Sequence, residues 1–203
     1  VIESLKLEGN YIFIVQKEHQ EKYNINSVLK ILKPNCKIIE LDHITEGAAC
    51  TTLLAKKFIN TNNPLIIANS DQYIKWDSIK SMYNYNQKKI DGSILTFEAI
   101  HPKWSYAKTD KNSFVTEVAE KKVISKNATV GVYYWKKGSD YVNCAETMIK
   151  KNVRVNNEFY VCPVYNEAIG EGKKIVIDKV SEMHGLGTPD DLKNFVTKKN
   201  LTN

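Results

Sequence analysis

Four short stretches hold residue types that could do chemistry. The first is Asn69-Ser70-Asp71, directly after the apolar run Pro64-Leu65-Ile66-Ile67-Ala68. In open α/β sheets ligands bind beyond the carboxyl ends of the strands. One carboxylate there can hold Mg²⁺ against the phosphates of a nucleotide, because this ion is usually bound by one or two carboxylates together with phosphate oxygens and water. An Asp that merely closes the next turn is the equally weighted alternative. The second stretch is Thr45-Glu46-Gly47-Ala48-Ala49, after another apolar run. Its small residues would let backbone groups approach a flat ring, although a plain helix start with Thr45 as N-cap explains the same letters. The third is Glu120-Lys121-Lys122, between two strand-like segments. Its carboxylate could accept hydrogen bonds from sugar hydroxyls and a lysine could neutralise a phosphate, but most such runs are charged turns. The fourth, Gly185-Leu186-Gly187-Thr188-Pro189-Asp190-Asp191-Leu192, pairs two glycines with a strong helix start and reads first as structural.

The elements that must position these stretches alternate in type. Tyr11-Ile12-Phe13-Ile14-Val15 is a continuous run of β-formers with the length of a strand buried on both faces. A helix is expected over 18–32, ending before Pro34. A strand follows over 36–41, a helix over 45–59 and a third strand over 64–68. That rhythm implies a parallel sheet with right-handed crossovers. The second half reads as shorter strands over 92–98, 105–109, 113–118 and 128–135, some of them antiparallel. Helices are expected over 140–151, 164–169 and 190–199, with a short strand over 174–177. Residues 1–7 read as the end of a helix already under way, stopped by Gly9.

Composition narrows the function classes. The chain has 203 residues, 42% hydrophobic and 26% charged, the balance of an ordinary globular domain. Its formal charge of +6 is spread along the chain, which argues against a nucleic-acid-binding arm and suits a pocket for anions no better than a solvated lysine surface. Cys36, Cys50, Cys144 and Cys162 lie far apart, with no zinc-ligand spacing, so reduced, mostly buried thiols are expected. No apolar run approaches the roughly 20 residues of a membrane span and no signal segment opens the chain, so the sequence reads as cytoplasmic with no membrane insertion. It carries no P-loop, dinucleotide fingerprint or nucleophile elbow, and His19, His43, His101 and His184 form no triad.

Together these segments resemble the sugar-phosphate nucleotidyltransferase family, the pyrophosphorylases that make nucleotide sugars, over nearly the whole chain. The bacterial capsule and surface-polysaccharide branch is most similar in Pro64-Leu65-Ile66-Ile67-Ala68-Asn69-Ser70-Asp71-Gln72-Tyr73, Val118-Ala119-Glu120-Lys121-Lys122, Gly131-Val132-Tyr133-Tyr134, Asn157-Glu158-Phe159-Tyr160-Val161-Cys162-Pro163 and the Gly185 to Leu192 stretch. The resemblance implies a three-layer αβα nucleotide-diphospho-sugar transferase fold, Rossmann-like, with a mixed, mainly parallel central sheet in a single domain over 1–203. It implies as partners an NTP and a phosphorylated small molecule, and as cofactor Mg²⁺. By similarity Asp71 would ligate the metal, Lys121 would touch the substrate phosphate, and the Gly47 and Ala48 backbone would line the base pocket. Glu120 would hold the second substrate's hydroxyls, Gly131 would let the backbone approach that substrate, and Glu46, Asn69, Ser70 and Glu158 would be further substrate-binding residues.

Two departures accompany the resemblance. The family opens with a buried strand, a glycine-rich triphosphate loop and a Pro-Lys-Pro stretch; none is in this sequence, so the expectation is a domain that is N-terminally incomplete and lacks a central strand. Many relatives place an Asp where this chain has Gly185, so the second metal ligand is open among Glu182, His184, Asp190 and water. A metal-dependent glycosyltransferase of the same fold, or a non-catalytic nucleotide-binding module, remain as alternatives. Asp71 is followed by Gln72-Tyr73 rather than by the second Asp of an Asp-x-Asp pair, which favours the nucleotidyltransferase. The base, the phosphate ester and the oligomeric state, a homo-oligomer included, are left open.

Overall fold

A computed structural model describes residues 1–200. Its first half runs α1 (Ile2–Leu5), β1 (Ile12–Gln16), α2 (Lys17–Tyr23), α3 (Ile25–Leu32), β2 (Lys37–Leu41), α4 (Ala48–Leu53), α5 (Lys56–Ile59), β3 (Leu65–Ala68), β4 (Gln72–Lys75) and α6 (Ser78–Gln87). The second half runs β5 (Gly92–Glu98), β6 (Tyr106–Thr109), β7 (Val115–Ala119), β8 (Asn127–Trp135), α7 (Gly138–Lys150), α8 (Val164–Gly170), β9 (Ile175–Lys179), β10 (Glu182–Gly185) and α9 (Pro189–Asn200). None of the described helices is long and apolar enough to cross a membrane.

The mixed α/β class is the expected one, with a central sheet in the order β7-β6-β8-β5-β9 and β3 added on β8. Its pairing corrects the expectation of a mainly parallel sheet. Only β5 with β9, and β1 with β2 in a separate ribbon, run parallel. β3 pairs antiparallel with β8, from Leu65 opposite Trp135 to Ala68 opposite Val132. The strand–helix rhythm of the first half predicted neighbours that are parallel, but among the described residues β1 and β2 pair only with each other.

The strand β8 organises the core because every one of its residues after Asn127 is buried. Its side chains alternate between two layers, as the pleat requires. Tyr133 and Trp135 join the cluster under α4, α5, α7 and α8, while Val130 and Val132 join Ile74, Leu95 and Leu5 on the opposite face. Trp135 stacks on Tyr165 of α8 with ring centroids 4.3 Å apart. Tyr165 also donates its hydroxyl to the Tyr134 carbonyl, at 2.8 Å. On the second face α6 is tied to β9 through one carboxylate oxygen of Asp178, which accepts from Trp76 Nε1 (3.0 Å) and the Tyr85 hydroxyl (2.7 Å).

Several boundaries differ from the sequence reading for local reasons. The helix expected over 18–32 is two helices, broken at Asn24, whose φ of 49° is left-handed, a conformation Asn tolerates better than most residues. The helix expected over 45–59 starts only at Ala48, with Gly47 rather than Thr45 at its cap, and breaks before Lys56. Helix α1 stops at Lys6, left-handed at φ 48°, rather than at Gly9. Among the thiols Cys144 and Cys162 are buried, Cys36 and Cys50 half-buried, and all four are free.

Candidate active site

The cleft arises from the way β8 shares one edge between two partners. Residues Val132 to Trp135 pair with β3, whereas Ala128 pairs with Tyr106 at the start of β6. Between them β8 passes Gly131, at φ +76°, and the two partner strands splay apart above it. Two backbone bonds fix the rims: Asn69 N–H to the Gly131 carbonyl at 2.9 Å, and Thr129 N–H to the Ser105 carbonyl at 2.8 Å. A side chain at Gly131 would meet the Asn69 amide, with an added Cβ only 2.5 Å from Nδ2. Its glycine therefore lets Asn69 lie across the cleft floor.

A second ribbon closes one side. β10 pairs antiparallel with β4, setting Gly185 opposite Gln72, and Leu186 N–H donates to the Asp71 carbonyl at 2.6 Å. Gly187 lies against the Asp71 carboxylate so closely that a Cβ there would come within 2.8 Å of Oδ2. The turn then enters α9, where Thr188 accepts from the Asp191 N–H at 3.1 Å and donates to its Oδ2 at 2.8 Å. This reciprocal cap leaves the other Asp191 carboxylate oxygen available.

The resulting cleft has a volume of about 420 Å³ and is lined by Ala48, Asn69, Asp71, Glu120, Lys121 and Gly131 from the residues singled out in the sequence. It also takes in residues that sequence reasoning passed over: Ser105, Thr129, Tyr133, Cys162 and Asp191. Glu46, Gly47, Ser70 and Glu158 do not line it. Glu46 instead pairs with Arg154, whose guanidinium lies 3.9 Å over the Phe159 ring. Gly47 sits at φ +131°, and a Cβ there would approach Phe159 N and O to 2.5 Å. Its small size serves the docking of the 157–163 loop, whose Phe159 donates to the Glu46 carbonyl at 2.8 Å and accepts from Ala49 N–H at 2.9 Å.

Of the three side chains weighed as a second metal ligand, none lines the cleft. Glu182 is engaged by Lys75 and by His184, each at 2.7 Å, and these two hold its carboxyl down to about 2. Besides Glu120, the carboxylate that shares the cleft with Asp71 is Asp191, one residue beyond the candidate Asp190. Its signal was present in the Thr188-Pro189-Asp190-Asp191 cap, read there only as a helix start. Among the described residues no cluster of three or more His, Cys, Asp or Glu could hold a metal. Two carboxylates beside open space suit Mg²⁺, which draws its remaining ligands from phosphate oxygens and water.

The electrostatics divide the cleft. Glu120 is raised above the ordinary carboxylate range, chiefly because burial disfavours its charge, and Ser105 and Lys121 offset this in part. Lys121 adopts a left-handed backbone at φ 54°, a conformation that costs on the order of 1–3 kcal/mol for a non-glycine residue. Its ammonium donates to the Tyr160 hydroxyl at 2.6 Å, a hydrogen bond that raises its proton affinity and keeps it cationic.

No protein-family model and no curated protein matches this sequence. Solved structures do. A nucleoside-diphosphate-sugar pyrophosphorylase from Vibrio cholerae is 22% identical over 94% of this chain and 81% of its own, with a TM-score of 0.78. A UDP-glucose pyrophosphorylase solved with UDP-glucose is 13% identical over 98% and 84%, with a TM-score of 0.72. An inositol-1-phosphate CTP transferase from T. maritima is 12% identical over 93% and 74%, with a TM-score of 0.69. At these identities the likeness establishes the fold.

Proposed function

We propose that the chain is a nucleotidyltransferase domain, transferring NMP from an NTP to a sugar 1-phosphate or a similar small phosphate ester and releasing pyrophosphate, in the supply of precursors for capsule or glycan synthesis. The observation that carries this reading is the convergence of Asp71, Glu120, Lys121 and Gly131 on one cleft at the split edge of β8. The solved structures of this fold described above are two pyrophosphorylases and a CTP transferase, which supports the same reaction class for this chain.

In that reaction an ester phosphate oxygen attacks the α-phosphorus of the NTP in line; the new P–O bond forms as the bond to pyrophosphate breaks. Little covalent work falls to the protein, so catalysis rests on positioning and charge. Mg²⁺, when bound, neutralises charge on the nucleotide phosphates, and Asp71, with Asp191 lining the same cleft, would hold it. Lys121 presents a fixed positive charge toward the ester phosphate, and Glu120 accepts from the ester's hydroxyls. Gly131 lets both substrates approach the backbone, while Ala48 borders the base. Asn69 spans the floor between them, and Ser70, Glu46, Gly47 and Glu158 act from around the cleft.

Among the described residues β1 pairs only with β2, and β3 only with β8. The test is pyrophosphate release by this chain, and by the chain extended upstream, with Mg²⁺ and each of CTP, UTP, dTTP, ATP and GTP against a panel of sugar 1-phosphates and polyol phosphates. Release with one pair, lost in Asp71→Ala, is the expected result; sugar transfer from an NDP-sugar without pyrophosphate release would replace the reading with a glycosyltransferase.

A further inference from the structure

Beside Glu120 the cleft wall carries a cluster of polar side chains. Ser105, just before β6, is buried, at 8% exposure, and its hydroxyl donates to Glu120 Oε2. Tyr133 and Cys162, both buried, line the same cleft, and both feel the charge of Glu120. Tyr133 meets Thr129 at 3.2 Å. Ser105, Thr129, Tyr133 and Cys162 thus bring three separate segments of the chain to the cleft wall beside Glu120. Tyr133 and Cys162 do not titrate near neutrality, because burial pushes both upward. The charged groups facing Glu120 are Lys121, which favours its carboxylate, and Glu158, which opposes it.

We propose that Ser105 is a positioning residue: by donating to Oε2 it fixes the Glu120 carboxylate as a charged acceptor with Oε1 alone presented to the cleft, so that the site takes a hydroxyl-bearing phosphate ester through one acceptor oxygen. The inference rests on the nucleotidyltransferase reading for the identity of the ester, but not for the hydrogen bond itself. A carboxylate in a desolvated site keeps its charge through the donors it meets. Ser105 is the one neutral donor facing Glu120; without it, burial and Glu158 act against Lys121 alone. The burial of Ser105 matters equally, since a donor shielded from water does not exchange its partner for solvent. The backbone supports the arrangement from the other side, because the Ser105 carbonyl is held by Thr129 N–H.

The test compares wild type, Ser105→Ala and Ser105→Thr in two measurements. In the first, the Glu120 carboxyl is followed by ¹³C NMR from pH 3 to 8, assigned by its disappearance in Glu120→Gln. In the second, KM for the ester and kcat are measured across pH with the nucleotide–ester pair that releases most pyrophosphate. Ser105→Ala is expected to move the Glu120 titration and the acid limb of kcat/KM to higher pH. It is also expected to raise KM about tenfold at neutral pH, the size of a lost hydrogen bond to a charged group, with kcat nearly unchanged. Ser105→Thr, which keeps the hydroxyl, restores both.

An unshifted titration in Ser105→Ala overturns the proposal, as does a Thr variant as impaired as the Ala one. A merely structural role would reduce the folded fraction and leave the titration and the acid limb in place. Should Ser105→Ala fail to fold, Ser105→Cys, a weaker donor of similar shape, gives the same upward direction or overturns the proposal in the same way. If no pair releases pyrophosphate, the nucleotidyltransferase reading falls while the NMR titration still decides the role of Ser105.

Discussion

Two strands of this chain look alike as letters and fare differently in the fold. Ile12 to Val15 in β1 and Val132 to Trp135 in β8 are both runs of β-branched and aromatic residues. In β8, Val132 and Trp135 have 0% exposure and Tyr134 3%. In β1 no residue is buried, and all four of its apolar side chains are half-exposed. The difference is one of neighbours. β8 has β5 along one edge, β3 and β6 along the other, and helices or the β4 ribbon over both faces. β1 has β2 alone as a strand partner among the described residues. Apolar letters set the capacity for burial, and the number of partners a strand acquires decides how much of it is realised.

That contrast makes quantitative predictions. The largest effect is expected in the centre: Trp135→Ala removes a fully enclosed ring stacked on Tyr165 and should cost about 3–5 kcal/mol in urea unfolding. Phe13→Ala in β1, which is only partly buried, should cost less, in proportion to the smaller area it buries. Equal losses would break the comparison. Next come two glycines at close approaches, Gly131 on the cleft floor and Gly47 under the 157–163 loop. Gly47 has φ 131° and ψ 172°, a region essentially reserved for glycine, and an added Cβ meets Phe159 backbone, whereas at Gly131 it meets the flexible Asn69 amide. Gly47→Ala should therefore destabilise by about 2–3 kcal/mol and Gly131→Ala by less, about 1–2 kcal/mol, read by thermal unfolding. A larger loss at Gly131 would show that the Asn69 side chain cannot move.

Hydrogen exchange sharpens the contrast without mutation. Amides of β8 should exchange only through global opening, while those of β1 exchange through a smaller local opening, because local stability follows packing density. Identical protection in the two strands would contradict this. The smallest effect is expected in the β4–β10 ribbon. Glu182 is held down to about 2 by Lys75 and His184. Its contribution is fully present above the ordinary glutamate value and is lost as pH falls from there through about 2. The Tm of wild type should drop more between pH 5 and pH 3 than that of Glu182→Gln, and parallel curves would remove Glu182 from the account. The side chain is exposed, so solvent keeps the difference small.

How far the sequence could be read follows the same line. The elements β5, β8, α7 and α8 were legible because long apolar patterns coincide with the elements that bury them. The ribbon β4–β10 and helix α6 were not. The four residues Glu182–Gly185 contain a His and a Gly and become a strand only by pairing with Gln72–Lys75, far away in sequence. Helix α6 is Ser-, Asn- and Tyr-rich, and it holds its place through the bond from Tyr85 to Asp178 together with the packing of Tyr85 and Met82. At the site, Asp71, Glu120 and Lys121 could be located because they follow strand-like segments. Asp191 and Ser105 could not, since one reaches the cleft through the ribbon and the other through the split edge of β8. Glu46 and Gly47 read as pocket residues, yet their contacts fasten the loop around Phe159.

The bond from Leu186 to the Asp71 carbonyl also sets an order in time. Asp71 leaves the ribosome early, and strands β5 to β9 can assemble behind it as the chain lengthens. One side of the cleft beside its carboxylate, Gly185 to Asp191, is made of residues translated near the end of the described chain. Until they arrive, that side of the cleft is open to bulk water. In a nascent chain with its central sheet already paired, that side of the cleft is still missing, and the cleft takes its final shape only when β10 docks on β4.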